Sequence, residues 1–291
     1  MLSPQAYFRL HSGRPRKRFG QHFLTQTGVA RRIVASAEIQ DSDVVVEVGP
    51  GLGALTQFIT EKVKQLHLVE LDRDLAEYLT GEFSAGPCEV HVHSQDIMSF
   101  DFARLRARIG QRLVLLGNLP YNISSPLLFR LLEEAEGLRR AVFMLQREVG
   151  ERLAAPPGGK SYGVISVLMG VFAKVMPLFM VGPKQFYPPP QVDSLVVRLD
   201  FLDQPLLDKD AFPFLRQVVN TAFQQRRKTL QNSLRNLAEH CAMPVAEALA
   251  LTAIDPRRRP ETVSLEEFIL LSSVLQQARG GRTWMRGHDG T

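Results

Sequence analysis

Gly49, Gly51 and Gly53 occupy alternate positions in "VEVGPGLGAL", just past an apolar β-branched run. Glycines let a ligand approach the backbone, and a helix beginning beyond them offers unpaired N–H groups. A packing turn explains such glycines equally well. Their G-x-G-x-G spacing also departs from the G-x-G-x-x-G of dinucleotide-binding turns. The second apolar run ends in Glu70, within "LVELD", where an acid suits the two hydroxyls of a ribose. The third ends in Asp96, within "SQDI", and the fourth in Asn118, within "GNLPY". One acid at a strand end is usually a helix cap. Glu70, Asp96 and Asn118 following a glycine turn point instead to the carboxyl edge of an open α/β sheet, where ligands bind.

Those residues need elements that bring strand ends together. "VVVEVG" (44–49), "QLHLVELD" (65–72), "EVHVHSQD" (89–96), "RLVLLGNLP" (112–120) and "AVFMLQ" (141–146) read as strands. Helix-like stretches such as "ALTQFITEK" and "SPLLFRLLEEA" separate them, which predicts a parallel sheet covered on both faces. "KVMPLFMV" (174–181) and "SLVVRLDF" (194–201) have no long helix between them and predict an antiparallel pair at the sheet edge. The expected fold is α/β: a Rossmann-like seven-stranded domain over 21–204, then a small all-helical domain over 205–280. In the latter, apolar residues at helical spacing from Leu215 to Leu237 predict one long helix that carries Arg226, Arg227 and Lys228. A last helix opens on a capping box of Ser264 and Glu267 and is expected to end before Gly280.

The chain has 291 residues, 45% hydrophobic and 22% charged, enough for a soluble protein with a real core. No apolar stretch is long enough to span a bilayer. Cys88 and Cys241 are far apart, which argues against a disulfide or zinc framework. The net charge is +5. Arg9, Arg14, Arg16, Lys17 and Arg18 place five positive charges and no acid in residues 1–20. That segment is either a solvated tail or a nucleic-acid arm. It lacks the apolar core of a secretory signal, so the cytoplasm is the expected location, with a mitochondrial presequence the minor alternative. The first eight residues or so and the C-terminal tail, 281–291, receive no role.

The four strand ends together resemble those of the S-adenosylmethionine-dependent methyltransferases. "NLPY" (118–121) is similar to their (N/D/S)-(P/I/L)-P-(Y/F) signature for methylating exocyclic amino groups of nucleobases. The N6 lone pair of adenine is delocalised into the ring, so the amine is a poor nucleophile. Two oxygens accepting its N–H bonds favour a pyramidal nitrogen. The resemblance gives that role to the Asn118 side chain and the Leu119 carbonyl. Pro120 fixes the turn, and Tyr121 offers a stacking face for a base taken out of its helix.

"RKRFGQHFL" (16–24), "VEVGPGLGALT" (46–56), "GNLPYNISSPLLF" (117–129), "YPPPQVDS" (187–194) and "RRKTLQNSL" (226–234) narrow the resemblance. They are similar, in this order, to the ribosomal RNA adenine N6-dimethyltransferase family. The likeness is greatest to bacterial small-subunit members, which dimethylate two adjacent adenosines in the loop of the 3′-terminal hairpin. This implies S-adenosylmethionine as methyl donor, S-adenosylhomocysteine as product and no metal. It places His22, Leu24, Gly49, Gly51, Glu70, Asp96 and Asn118 around the donor. The implied partner is small-subunit rRNA in an immature 30S subunit, met by a monomer.

Arg16, Lys17, Arg18, Arg226, Arg227 and Lys228 are the expected contacts to the RNA backbone. Phe186 fits either the face of the base opposite Tyr121 or the core. Arg139-Arg140 and Arg257-Arg258-Arg259 read as solvated charge. The alternatives are a large-subunit rRNA dimethyltransferase conferring macrolide resistance and a non-catalytic RNA-binding factor of the same fold.

Overall fold

The computed structural model describes residues 2–16, 19–225 and 227–285, with side chains as far as 279. In chain order the helices and strands are α1 (Pro4–Leu10), β1 (Phe23–Leu24), α2 (Thr27–Ser36), β2 (Val44–Val48), α3 (Thr56–Ile59), β3 (Gln65–Glu70), α4 (Arg73–Glu82), β4 (Glu89–Ser94), α5 (Phe102–Ile109), β5 (Leu113–Asn118), α6 (Ser124–Glu134) and β6 (Leu138–Gln146). They continue with α7 (Arg147–Leu153), α8 (Val164–Gly170), β7 (Ala173–Val181), β8 (Phe186–Tyr187), β9 (Ser194–Phe201), α9 (Phe212–Gln224), α10 (Leu230–His240), α11 (Val245–Leu251) and α12 (Leu265–Met285). No helix among the described residues is long and apolar enough to cross a membrane.

Two compact units form, Met1–Ala154 with Ala173–Gln204 and Ala155–Phe172 with Pro205–Thr291. The first holds a seven-stranded sheet of order β4-β3-β2-β5-β6-β9-β7. Strands β4 to β6 run parallel, and β9 is antiparallel to both neighbours, β6 and β7. The antiparallel pair therefore lies at the edge, as its missing helix implies. Every residue of β2 is buried, which suits a central parallel strand covered on both faces. From β2 the chain steps outward to β3 and β4, then returns to place β5 on the other side of β2.

Several boundaries depart from the sequence expectations. Residues 155–172, expected within the sheet domain, belong to the helical unit. Leu206 N–H donates to the Val171 carbonyl at 2.9 Å, and the Phe172 ring meets Phe212 edge-on at 4.7 Å. Those partners lie downstream, beyond the reach of any local pattern. The long helix expected through Arg226 is two helices, α9 and α10. Gln225 leaves helical geometry at φ −125° and ψ 55°, and Thr229 begins α10 from an extended conformation. The first N–H groups of α10 are met by loop carbonyls, Leu230 by Arg258 at 2.7 Å and Gln231 by Pro256 at 3.3 Å. The capping box of α12 forms, with Glu267 N–H on Ser264 Oγ at 3.2 Å and Ser264 N–H on Glu267 Oε2 at 2.7 Å. The helix continues past Gly280.

The expected basic arm is partly ordered against the sheet unit. Ser3 caps α1, and Tyr7 is buried against Tyr78. Arg139 and Arg140 are ion-paired rather than free, Arg139 with Asp43 and Arg140 with Asp200 and Glu38.

One buried group makes this unit acid-sensitive. His67 on β3 is fully buried, its Nδ1 2.9 Å from His93 Nε2 and its ring stacked on His91 at 4.7 Å. Burial, reinforced by His91 and His93, lowers its pKa from 6.5 to about 3. An unfolded chain takes up this proton near pH 6.5, the folded one only near 3. Stability from this residue is complete above the first value and lost as the pH falls toward the second, at up to ~1.4 kcal/mol per pH unit. Urea unfolding at about pH 7 and pH 5 should show His67→Phe losing less stability on acidification than the parent chain.

Candidate active site

At β2 and β5 the strand order reverses, and a crevice opens beyond their carboxyl ends. It holds a cavity of about 350 Å³. The glycine turn enters from β2, Glu70 from β3, Asp96 from the loop after β4, and Asn118 through Tyr121 from β5. All four strand ends singled out in the sequence thus meet around one cavity, which His22 and Leu24 also line.

The turn has the backbone only glycine tolerates at low cost. Gly51 has φ +60°, and a Cβ there would stand 3.1 Å from the Phe23 ring. Its N–H donates to Glu70 Oε2 at 3.0 Å, and Asp72 N–H donates to Glu70 Oε1 at 3.0 Å. Burial raises the pKa of Glu70, and the hydrogen bonds from Asp72 and Gly51 oppose that rise. The carboxylate is therefore fixed at the wall of the cavity before any ligand arrives.

The Asn118 side chain is oriented by the His22 backbone. Its Nδ2 donates to the His22 carbonyl at 2.8 Å, so Oδ1 is the atom left to accept. Leu119 N–H donates to the Met144 carbonyl at 3.1 Å, and the Pro120 carbonyl accepts from Ile123 and Ser124 as α6 begins. The Tyr121 ring is half-buried and tilted against the His22 ring at 5.4 Å. Burial raises the Tyr121 pKa, partly offset by Ser194. His22 Nδ1 lies 2.7 Å from the Pro188 carbonyl, and β1 pairs with β8 through Phe23↔Tyr187 and Leu24↔Phe186. Two-residue strands are too short to show a periodicity, which is why the sequence did not reveal this clip.

Other expected roles change. Asp96 is exposed and also caps the turn after β4, accepting from Met98 N–H at 2.8 Å. Phe186 is buried in the hydrophobic core and does not line the cavity. Arg16 is not a free phosphate contact, because its guanidinium pairs with Asp72 at 2.6 Å and Asp74 at 2.5 Å. Arg227 and Lys228 are exposed in the turn between α9 and α10. Lys17, Arg18 and Arg226 lie outside the described residues.

Among the lining residues that the sequence did not single out is a buried acid. Glu47, 1% exposed, accepts from Thr56 Oγ1 at 2.7 Å, and burial pushes its pKa up to about 8. Its signal was an acid inside an otherwise apolar strand.

Two solved structures share this fold over most of the chain. The 23S rRNA methyltransferase ErmE superposes with a TM-score of 0.70 at 24% identity, covering 88% of this chain and 100% of that one. A dimethyladenosine transferase from Plasmodium falciparum gives 0.74 at 24% identity, covering 88% and 98%. The fold is thus that of the methyltransferases whose signature the strand ends carry. The family model for ribosomal RNA adenine dimethylase matches residues 13–277, and the chain belongs to that family of enzymes. Similar curated relatives carry the name ribosomal RNA small subunit methyltransferase A. That of Nitrosococcus oceani is 49% identical over 91% of this chain and 98% of its own length. That of Pseudomonas aeruginosa is 42% identical over 94% and 99%.

The spacing of the two central strands depends on Gly117. A Cβ there would stand 2.6 Å from the Val48 carbonyl. Gly117→Ala must push β5 away from β2, and should destabilise the protein by about 1–3 kcal/mol, as overpacking does elsewhere. Chemical denaturation checks this, and an unchanged midpoint would show that the strands yield freely.

Proposed function

We propose that this enzyme dimethylates N6 of two adjacent adenosines in the 3′-terminal hairpin loop of small-subunit rRNA, with S-adenosylmethionine as methyl donor. The observation that carries the reading is the orientation of Asn118: its amide nitrogen is tied to the His22 carbonyl, and its oxygen is left to accept beside the cavity. The small-subunit assignment is supported by the names of relatives at 42–49% identity. The proposal includes a monomer acting in the cytoplasm on immature small subunits.

The residues present fit such a donor. The cavity is of nucleoside-binding size. The backbone of Gly49 and Gly51 lines it without side chains, and the prefixed Glu70 carboxylate suits ribose hydroxyls. Asp96, His22 and Leu24 also line the cavity. S-adenosylmethionine, when bound, supplies an electrophilic methyl group. Asn118 Oδ1 and the Leu119 carbonyl accept hydrogen bonds from the N6–H groups and localise the amine lone pair. Tyr121 stacks on the adenine and holds it in line. Positioning carries most of the rate. The chain needs no general base, because an N-methylated ammonium is acidic enough to release its proton to water.

Asn118→Ala should lower the single-turnover rate by about 10²–10³-fold, because its bond counts most in the transition state. RNA affinity should stay within a few-fold. A loss confined to RNA affinity would overturn the role. The substrate is tested by mass mapping of methylated adenosines in small-subunit RNA from cells lacking the protein. Missing methyl groups only in large-subunit RNA would favour the other dimethyltransferase class.

Arg227 and Lys228 are proposed to neutralise RNA phosphates. Replacing both with Ala should flatten the salt dependence of RNA binding by about one unit per lost contact. Equal slopes and intercepts would identify them as ordinary surface charge.

A further inference from the structure

The N-terminal segment up to residue 12 lies outside the family match, which begins at residue 13. It nevertheless reaches the cavity: Leu2, Ser3, Pro4 and Gln5 line it alongside the glycine turn and Glu70. Aromatic contacts hold α1 in place. Tyr7, 4% exposed, meets the Tyr78 ring at 5.1 Å, and Phe8 meets Phe23 at 5.4 Å. Leu2 N–H donates to the Tyr78 hydroxyl at 3.3 Å. Tyr7, Phe23, Leu52 and Leu75 form a small core of their own, with Leu2, Phe8 and Tyr78 packed against it.

This core bears directly on the pocket. Phe23 is the ring that a Cβ at Gly51 would strike, and Leu52 is the next residue of the glycine turn. Farther along, Arg16 pairs with Asp72, and Gln21 Nε2 donates to the other oxygen of Asp72 at 2.9 Å. Asp72 in turn supplies the N–H that holds Glu70 Oε1. The segment is thus tied to both groups that would face the ribose side of a donor.

We propose that residues 2–16 form an additional wall of the methyl-donor pocket, with Tyr7 and Phe8 seating α1 on Tyr78 and Phe23 and Arg16 anchoring the strap at Asp72. The wall retains the donor and its demethylated product, and so sets donor affinity without touching RNA. This inference rests on the cavity being the donor site. Tyr7, Phe8 and Arg16 are positioning residues, because they act through Phe23, Tyr78 and Asp72.

The test is calorimetric binding of S-adenosylhomocysteine to the full chain, to Tyr7→Ala/Phe8→Ala and to Glu70→Ala. The double variant should raise the dissociation constant about tenfold, about 1.4 kcal/mol, with RNA affinity unchanged. Donor affinity within twofold of the parent chain, while Glu70→Ala binds weakly, would overturn the wall and leave the donor site standing. No binding to the parent chain would overturn both. Hydrogen exchange on the unaltered protein keeps the test independent of whether the double variant folds. The amides of residues 7–10 should gain protection when S-adenosylhomocysteine is added, and unchanged exchange at saturation would refute the wall.

Discussion

The functional architecture depends on how closely β5 approaches β2. Gly117 has no side chain, so the Val48 carbonyl can lie only 2.6 Å from where a Cβ would otherwise be. That approach sets the glycine turn after β2 directly beside Asn118 at the end of β5. It occurs where the strand order reverses, so no crossover helix covers the crevice from above. The glycine turn and the Asn118 corner, on neighbouring strands, need only short loops to face each other. Their relative position is then fixed by the sheet's hydrogen bonds rather than by loop conformation.

Around that crevice, polar groups are held by backbone rather than by one another. Glu70 is gripped by two N–H groups, and Asn118 by one carbonyl. Rigid backbone partners limit reorganisation when a ligand binds. Glu47 follows a different rule. It is buried, bonded to Thr56 and raised to a pKa of about 8, so it sits mostly protonated at neutral pH and adds little charge beneath the glycine turn.

The segment before β2 links these parts. His22 gives its carbonyl to Asn118, its ring lies beside Tyr121 and its Nδ1 meets Pro188. Phe23 abuts Gly51, and the β1–β8 pair fastens the stretch to residues more than 160 positions away, Pro188 among them. Much of the order at the site is therefore supplied by chain that contributes no strand to the main sheet.

The sequence by itself determined the seven-stranded α/β sheet, its antiparallel edge, the capped last helix and the four strand ends that carry the site. Each of these is written in local terms: burial of consecutive β-branched residues, a turn that needs glycine, a cap three residues before its partner. Tertiary structure alone decided what long-range contacts decide. Arg16 reads as a free cation until the fold brings Asp72 and Asp74 to it. Phe186 fits a stacking ring or a core residue equally well until β8 places it in the core. Residues 155–172 join the helical unit because their apolar faces meet residues beyond 204. The break between α9 and α10 depends on carbonyls from the loop at 256–258. Periodicity reports which face of an element is buried, but not what will be packed against it.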